Sequence, residues 1–187
     1  MDLLIITTVL ISIANIFSVW FAAKNNRATW SIGFFAACVT AYIFFVNKHY
    51  MSFAFNTYSA IMCIYGYFTW NKSNTDNDKN IKWNKRPIYE IIISIILFVC
   101  IYSFNSTLSL NPILDTICTS LSIVAAYLLV KQDVNAWIIY ITTDILYIYL
   151  GIISQDWEYI PIYGIMLILA IYGACQYIKK FKKQVQQ

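Results

Sequence analysis

Charged residues, glycine and proline are scarce in this sequence. Only 12% of the 187 residues are charged, against about 25% in ordinary soluble domains, while 60% are hydrophobic and the mean hydropathy is +0.61. A soluble domain of this length cannot bury so much apolar surface. Five glycines and three prolines exclude collagen-like and linker-rich sequence, and the hydrophobic content excludes a disordered chain. The composition therefore indicates an integral membrane protein.

The sequence also lacks the usual signals of metal and cofactor chemistry. It has one histidine, His49, and no CxxC pair, so it lacks the ligand spacing of zinc and iron–sulfur sites. The five cysteines stand singly inside apolar stretches, as is typical of buried small residues. No nucleophile with a matching base is recognisable, so we expect no enzymatic activity, no cofactor and no metal. The basic residues form short clusters between apolar runs, so no nucleic-acid partner is expected either.

Seven apolar segments are long enough to cross a membrane, which takes roughly 20 residues per helix. The first has no Lys or Arg before it and is longer than a signal-peptide core, so we expect it to remain as the first helix. The fold class predicted is an all-α integral membrane protein with seven transmembrane helices. The segments run about 3–23, 29–46, 51–70, 88–106, 113–130, 135–153 and 159–178.

The basic residues predict the orientation. If the N-terminus lies outside, Lys48 falls on the outer side and the other twelve of the 13 Lys and Arg residues fall on the inner side. This positive-inside bias predicts a multi-pass protein of the plasma (inner) membrane, with an extracytoplasmic N-terminus and a cytoplasmic C-terminus. Membrane lipid is then an expected partner, and a homo-oligomer is left open.

An internal repeat appears when the sequence is aligned with itself at a separation of 107 residues. The register pairs Lys24 with Lys131, Trp30 with Trp137, Ile32 with Ile139, Tyr42 with Tyr149, and Ile64-Tyr65-Gly66 with Ile171-Tyr172-Gly173. The last three spans thus repeat the first three in the same orientation. A 3+1+3 plan of parallel repeats is typical of transporters and predicts a substrate site near the midplane between the halves. The predicted divisions are 1–70 (first repeat), 71–110 (cytoplasmic loop and linker helix 4), 111–178 (second repeat) and 179–187 (basic cytoplasmic tail).

Polar residues inside the spans are the candidates for a solute site. An ionisable side chain within a span costs about 2.5–3.5 kcal/mol on insertion scales and indicates an interior site. Asp144 shares one helix face with Trp137, Tyr140 and Tyr147, and we expect this face to line the pathway. Asp115 shares a face with Thr119 and Ser122. The remaining candidates are Asn56 in span three and Tyr163 in span seven.

A structural explanation stays open for each candidate. Small and hydroxyl residues commonly pack membrane helices, and Asp115, three residues after Pro112, suits the first turn of a helix. If they instead form a site, carboxylates, hydroxyls and aromatic rings suit a flat, polar, neutral or cationic solute.

Several stretches resemble the PnuC-type vitamin transporters, known for uptake of nicotinamide riboside and including thiamine-specific relatives. They are DTICTSLSIVAAYLLVKQDVNAWIIYITTDILYIYL from Asp115 to Leu150, the IYGYFTW that closes span three and the IYG of span seven. The resemblance implies a facilitator that takes up a small vitamin or nucleoside-like solute, drawn forward by its phosphorylation in the cytoplasm. It also implies that Trp137 and Tyr140 line the site with Asn56, Asp115, Thr119 and Asp144. The usual family signature is acidic-x-Trp-x-x-Trp, whereas this chain has Asn135, Trp137 and Tyr140 at those positions, so the vitamin stays open.

Two other functions fit the same span count. A SWEET-type sugar transporter shares the 3+1+3 plan, and competition by excess sugar would distinguish it. A seven-helix membrane receptor or sensor is the other, although a retinal-type receptor needs a lysine in the middle of its last span, and residues 159–177 contain none.

Overall fold

The computed structural model describes residues 2–48, 50–72, 81–84, 88–103, 110–157 and 159–186. Seven α-helices account for most of them, so the predicted all-α fold with seven helices is confirmed. The helices are α1 (Asp2–Ala23), α2 (Ala28–Val46), α3 (Tyr50–Lys72), α4 (Ile88–Tyr102), α5 (Leu110–Val130), α6 (Asn135–Ser154) and α7 (Tyr159–Val185). Parts of the predicted loop at 71–87 and of the predicted turn at 105–112 lie outside the described residues.

These segments form helices because the hydrocarbon core of a membrane contains no water to hydrogen-bond the backbone N–H and C=O groups. Isoleucine, valine and tyrosine are only moderate helix formers in water, but every backbone N–H and C=O in the hydrocarbon core must be bonded within its own segment. By length and composition, α1, α2, α5, α6 and α7 can each cross a membrane. The remaining two are less apolar or shorter: α3 carries four tyrosines, and α4 has only 15 residues.

Three helix boundaries differ from the prediction. Span four was expected to end near 106, but α4 ends at Tyr102, and the next residue lies in a turn. The sequence indicated that span five begins near 113, after Pro112, but α5 begins at Leu110, because proline is tolerated in the first turn of a helix. The last span was expected to end near 178, but α7 continues to Val185. Lysine and glutamine are good helix formers, and Lys182 and Lys183 in its last turn complement the negative end of the helix dipole.

The chain divides into two compact units, Met1–Lys79 and Asn80–Gln187. In the first unit α2 packs against both α1 and α3. In the second unit α6 packs against both α5 and α7, and α4 packs against α5. The first unit thus holds α1–α3, and the second holds α4–α7.

The turn between α1 and α2 has the same local structure as the turn between α5 and α6. Each contains one residue in the left-handed region, Asn25 or Gln132, and both have a φ of 57°. In each turn a side-chain oxygen then accepts a hydrogen bond of 2.9 Å from the backbone amide two residues later. The acceptor and donor are Asn26 and Ala28 in the first turn, and Asp133 and Asn135 in the second. The residues concerned are 107 positions apart, the separation that the sequence alignment indicated.

Each unit also packs a tryptophan directly on a glycine. In the first unit the Trp30 ring on α2 covers Gly66 on α3, so closely that a Cβ at Gly66 would lie 2.4 Å from the ring. A second aromatic ring, Trp70, meets Trp30 edge-on with centroids 5.1 Å apart. The second unit has the same arrangement. A Cβ at Gly173 would lie 2.5 Å from the Trp137 ring, and the ring centroids of Trp137 and Tyr177 are 5.4 Å apart.

Residues 81–84 attach to one end of the second unit. The Lys82 amide donates to the Gln132 carbonyl at 3.1 Å, and the Lys82 carbonyl accepts from the Val134 amide at 2.9 Å. Ile81 is buried, and its amide donates to the Gln184 side chain of α7. This short segment therefore joins the α5–α6 turn to the C-terminal part of α7.

Candidate functional site

The most unusual polar group in the second unit is the carboxylate of Asp144, in the middle of α6. Its side chain is only 7% exposed. Within the part of the chain that the structure describes, it forms no hydrogen bond and no ion pair. A buried charge is normally paired or hydrogen-bonded, because leaving water is costly for it. Asp144 is thus a buried acidic side chain without a hydrogen-bond or ion-pair partner among the described residues.

Helix α5 brings further polar groups close to Asp144. The Cys118 thiol is fully buried and lies within electrostatic range of the carboxyl groups of both Asp115 and Asp144. The half-buried Thr119 lies close enough to Tyr147 of α6 for the two side chains to interact. Facing positions on α5 and α6 therefore combine two acids, a thiol and hydroxyl groups in one region.

Asp115 does not cap its helix. Because α5 begins at Leu110, Asp115 lies in the second turn and not in the first, so the capping interpretation of this residue is wrong. Its side chain is exposed on the helix surface.

Helix α7 adds an aromatic surface to the same region. Tyr163 stacks on Tyr147 with ring centroids 4.4 Å apart and an interplanar angle of 14°. The Tyr147 hydroxyl is also within electrostatic range of Asp115. Tyr163, predicted from the sequence as a ring that could stack on a solute, is therefore beside the acidic residues, with its ring half-buried. We call Asp115, Cys118, Thr119, Asp144, Tyr147 and Tyr163 the polar cluster.

The predicted aromatic pair on α6 lies closer to the start of that helix. Trp137 is 1% exposed and is enclosed by Gly173 and Tyr177 of α7. Tyr140 is half-buried, with its ring centroid 6.2 Å from that of Trp137. Seven residues separate Trp137 from Asp144, which is about 10 Å along a helix. The tryptophan is therefore a packing residue in this conformation, whereas the tyrosine ring keeps an accessible surface.

The two remaining candidates are Ser122 and Asn56. Ser122 is half-buried on α5, one turn beyond Thr119. Asn56 belongs to the first unit, where its side-chain amide donates to the Ser52 carbonyl at 2.8 Å. Both stay predictions as solute-binding residues.

One member of the polar cluster, Cys118, was not predicted as a site residue. Cys118 was interpreted only as a small buried residue, although it follows Asp115 by three positions and so shares its helix face. Helical spacing from Asp115 was therefore the signal that could have found it. The same spacing did place Tyr147 on the α6 face of Trp137, Tyr140 and Asp144, which was expected to line the pathway. Among the described residues no group of three or more His, Cys, Asp or Glu side chains could hold a metal ion.

Comparison with known proteins supports the family that the sequence resembles. The crystal structure of the vitamin B3 transporter PnuC matches with a TM-score of 0.73 at 20% identity, covering 92% of this chain and 80% of that one. No curated protein matches the chain. At this identity the structural likeness establishes the fold. The sequence model of the nicotinamide mononucleotide transporter family matches residues 5–179, which is nearly the whole chain. This multi-pass membrane protein therefore belongs to the nicotinamide mononucleotide transporter family.

Proposed function

We propose that this protein is a facilitator that carries nicotinamide riboside or thiamine across the plasma membrane by alternating access. The observation that carries the proposal is Asp144, a carboxylate that is 7% exposed inside an apolar span and unpaired within the described chain. Nicotinamide riboside has a positively charged pyridinium ring, and thiamine has a positively charged thiazolium ring. Either cation would supply the partner that the carboxylate lacks.

The aromatic members of the polar cluster fit the same ligands. Aromatic faces attract cations and stack on flat rings. The stacked pair of Tyr147 and Tyr163 lies near Asp115 through Tyr147, which follows Asp144 on α6 by about one helical turn. We propose that Tyr140 extends this surface, because its ring is half-buried, and that Trp137 holds Tyr140 in place. Thr119, Ser122 and Asn56 are proposed to hydrogen-bond the sugar or the polar substituents.

The charges along the chain favour a riboside over a nucleotide. The family takes its description from nicotinamide mononucleotide, which carries a phosphate. Between residues 88 and 178, however, Lys131 is the one Lys or Arg in the sequence, and it lies in the turn between α5 and α6. A phosphate near Asp115 and Asp144 would meet two like charges and no basic side chain from α5 or α6, which contain no Lys or Arg.

The driving force is proposed to come from the cytoplasm. The sequence has no G-x-x-x-x-G-K-[ST] loop that would bind a nucleotide. Phosphorylation of the solute after entry would keep its free concentration low and draw uptake forward. The excess of basic residues supports a cytoplasmic C-terminus, which a C-terminal reporter that is active only in the cytoplasm would test.

Uptake into vesicles containing the purified protein tests both the transport of these vitamins and the role of Asp144. Labelled nicotinamide riboside and thiamine are the solutes, and nicotinamide mononucleotide and glucose are the competitors. The dihydro form of nicotinamide riboside is the key comparison, because its ring has nearly the same shape and no charge. Asp144→Asn is the variant, and Asp156→Asn in the exposed turn after α6 is its matched control.

We expect uptake of the charged riboside in preference to the dihydro form and to the mononucleotide. Asp144→Asn should lower uptake of the charged form about tenfold or more, since a hydrogen bond to a charged group contributes about 1.5–3 kcal/mol, with little effect on the neutral form. Absence of uptake of either vitamin by folded protein would overturn the transport proposal. An equal effect on the charged and neutral forms would overturn the role of Asp144 alone.

A further inference from the structure

A cavity lies in the second unit, and none of the residues that line it belongs to the polar cluster. It has a volume of about 350 Å³ and is formed by α4, α5 and α6. Its walls are almost entirely apolar, with Ile95 and Phe98 from α4, Leu121 from α5 and Ile138 from α6 among them. A cavity of this kind suits a hydrocarbon chain and offers very little to the polar solute discussed above.

The cavity extends to about the depth of one membrane leaflet. At the end that carries the α5–α6 turn it is lined by Asn135, the first residue of α6. Its far wall includes Phe98, ten residues after the start of α4, which is about 15 Å along a helix. The hydrocarbon core of a bilayer is about 30 Å thick. The cavity therefore matches the acyl region of a single leaflet, on the side of the α5–α6 turn.

The polar end of the cavity carries positive charge. Residues 81–84 cross it: the Asn135 side chain donates to the Asn84 carbonyl at 2.7 Å, and Lys82 pairs with the turn through its backbone while its side chain is exposed. Asp133, the acid of this turn, is buried and accepts from the Asn135 amide. Among the described residues at this end, Lys82 carries an exposed ammonium group, two positions before the Asn84 carbonyl that accepts from Asn135.

We propose that this cavity binds one acyl chain of an anionic phospholipid, whose phosphate is held at Lys82. Clusters of Lys and Arg beside a membrane helix attract acidic lipids, and the exposed lysines near the end of α7 belong to the same end of the unit, because Phe181 contacts Trp83. The expected ligand is phosphatidylglycerol, in preference to phosphatidylcholine with the same acyl chains. It depends on the membrane location of the chain and not on the identity of the transported solute.

Native mass spectrometry of the purified protein tests this inference. The protein is exposed to equal amounts of phosphatidylglycerol and phosphatidylcholine, and the retained lipid and the oligomeric state are measured together. Ile95→Trp and Ile138→Trp fill the cavity from opposite walls. Their controls are Ile96→Trp and Ile145→Trp, which replace exposed isoleucines of the same two helices outside the cavity lining. Lys82→Gln removes the charge, and Lys48→Gln is its control.

The expected result is one retained phosphatidylglycerol that both cavity variants lose and both matched controls keep. Lys82→Gln should reduce the preference for the acidic lipid about fivefold, because a basic residue near an anionic membrane surface contributes about 1 kcal/mol. Equal retention in the cavity variants and their controls would overturn the proposal. A change of oligomeric state without a change in lipid would also overturn it, since a second copy of the chain would then occupy the cavity.

Discussion

Replacing Gly173 with alanine probes the closest contact between α6 and α7. The added Cβ would lie 2.5 Å from two atoms of the Trp137 ring, whereas ordinary contacts begin at 3.4 Å. Either the ring or the helix must therefore move by nearly 1 Å. The ring has little room for this, because Trp137 is 1% exposed and its neighbour Tyr177 is fully buried.

The size of the effect follows from two opposing terms. Alanine in place of glycine in a helix gains up to about 1 kcal/mol. Inserting a methyl group into a well-packed interface costs about 1–3 kcal/mol. Gly164→Ala, in the same helix, should show only the gain from placing alanine in a helix, because nothing lies within 4 Å of its added Cβ. The two variants should therefore differ by about 1–3 kcal/mol, which is roughly 2–4 °C of melting temperature per kcal/mol for a chain of this size.

Thermal unfolding of the detergent-purified protein, followed by tryptophan fluorescence, measures this difference. The double change Gly173→Ala with Trp137→Phe should recover part of the loss, because the smaller ring leaves room for the methyl group. Gly66→Ala should behave like Gly173→Ala, since its added Cβ would meet Trp30 in the same way. If Gly173→Ala melted at the temperature of Gly164→Ala, the close contact would not constrain the two helices and the reasoning would fail.

Three further changes test other parts of the structure. Tyr163→Leu removes the stack on Tyr147 and should weaken solute binding about three- to tenfold, since an aromatic pair contributes about 0.5–1.5 kcal/mol; titration calorimetry with nicotinamide riboside and thiamine measures it. Asn135→Ala removes the hydrogen bond to the Asn84 carbonyl and should speed amide hydrogen exchange in residues 81–84 without speeding it elsewhere. Gln155→Gly should raise the melting temperature, because φ is 60° at this position and the left-handed conformation costs about 1–2 kcal/mol in a residue with a side chain; an unchanged or lower value would contradict this.

The sequence predicted the helices well because their ends are marked by charged or amide residues. It misplaced the start of α5, since Pro112 was treated as a boundary although proline fits inside a first helical turn. It misjudged the end of α7 because lysines that suit a cytoplasmic tail also continue a helix. Both errors concern residues whose chemistry is compatible with two local structures.

The candidate site was predictable along each helix but not between helices. Helical spacing placed Asp144 with Tyr140 on one face and Asp115 with Thr119 on another. Nothing in the spacing indicates that Thr119 faces Tyr147, or that Trp137 is enclosed by Gly173, because those contacts depend on the rotation of each helix about its axis. The alignment at 107 residues pairs Trp30 with Trp137 and Gly66 with Gly173, but it does not reveal that each tryptophan lies on its glycine.

The two matching turns give this chain an internal reference for interpreting substitutions. Each turn consists of a lysine, an amide residue in the left-handed conformation and an Asn or Asp acceptor, followed four positions later by the tryptophan that covers a glycine. A variant at Asn25 can therefore be compared with the matching variant at Gln132 in the same molecule, under identical lipid and detergent. A difference between the effects of the two variants would then identify a role of one turn that does not come from the geometry that the two turns share.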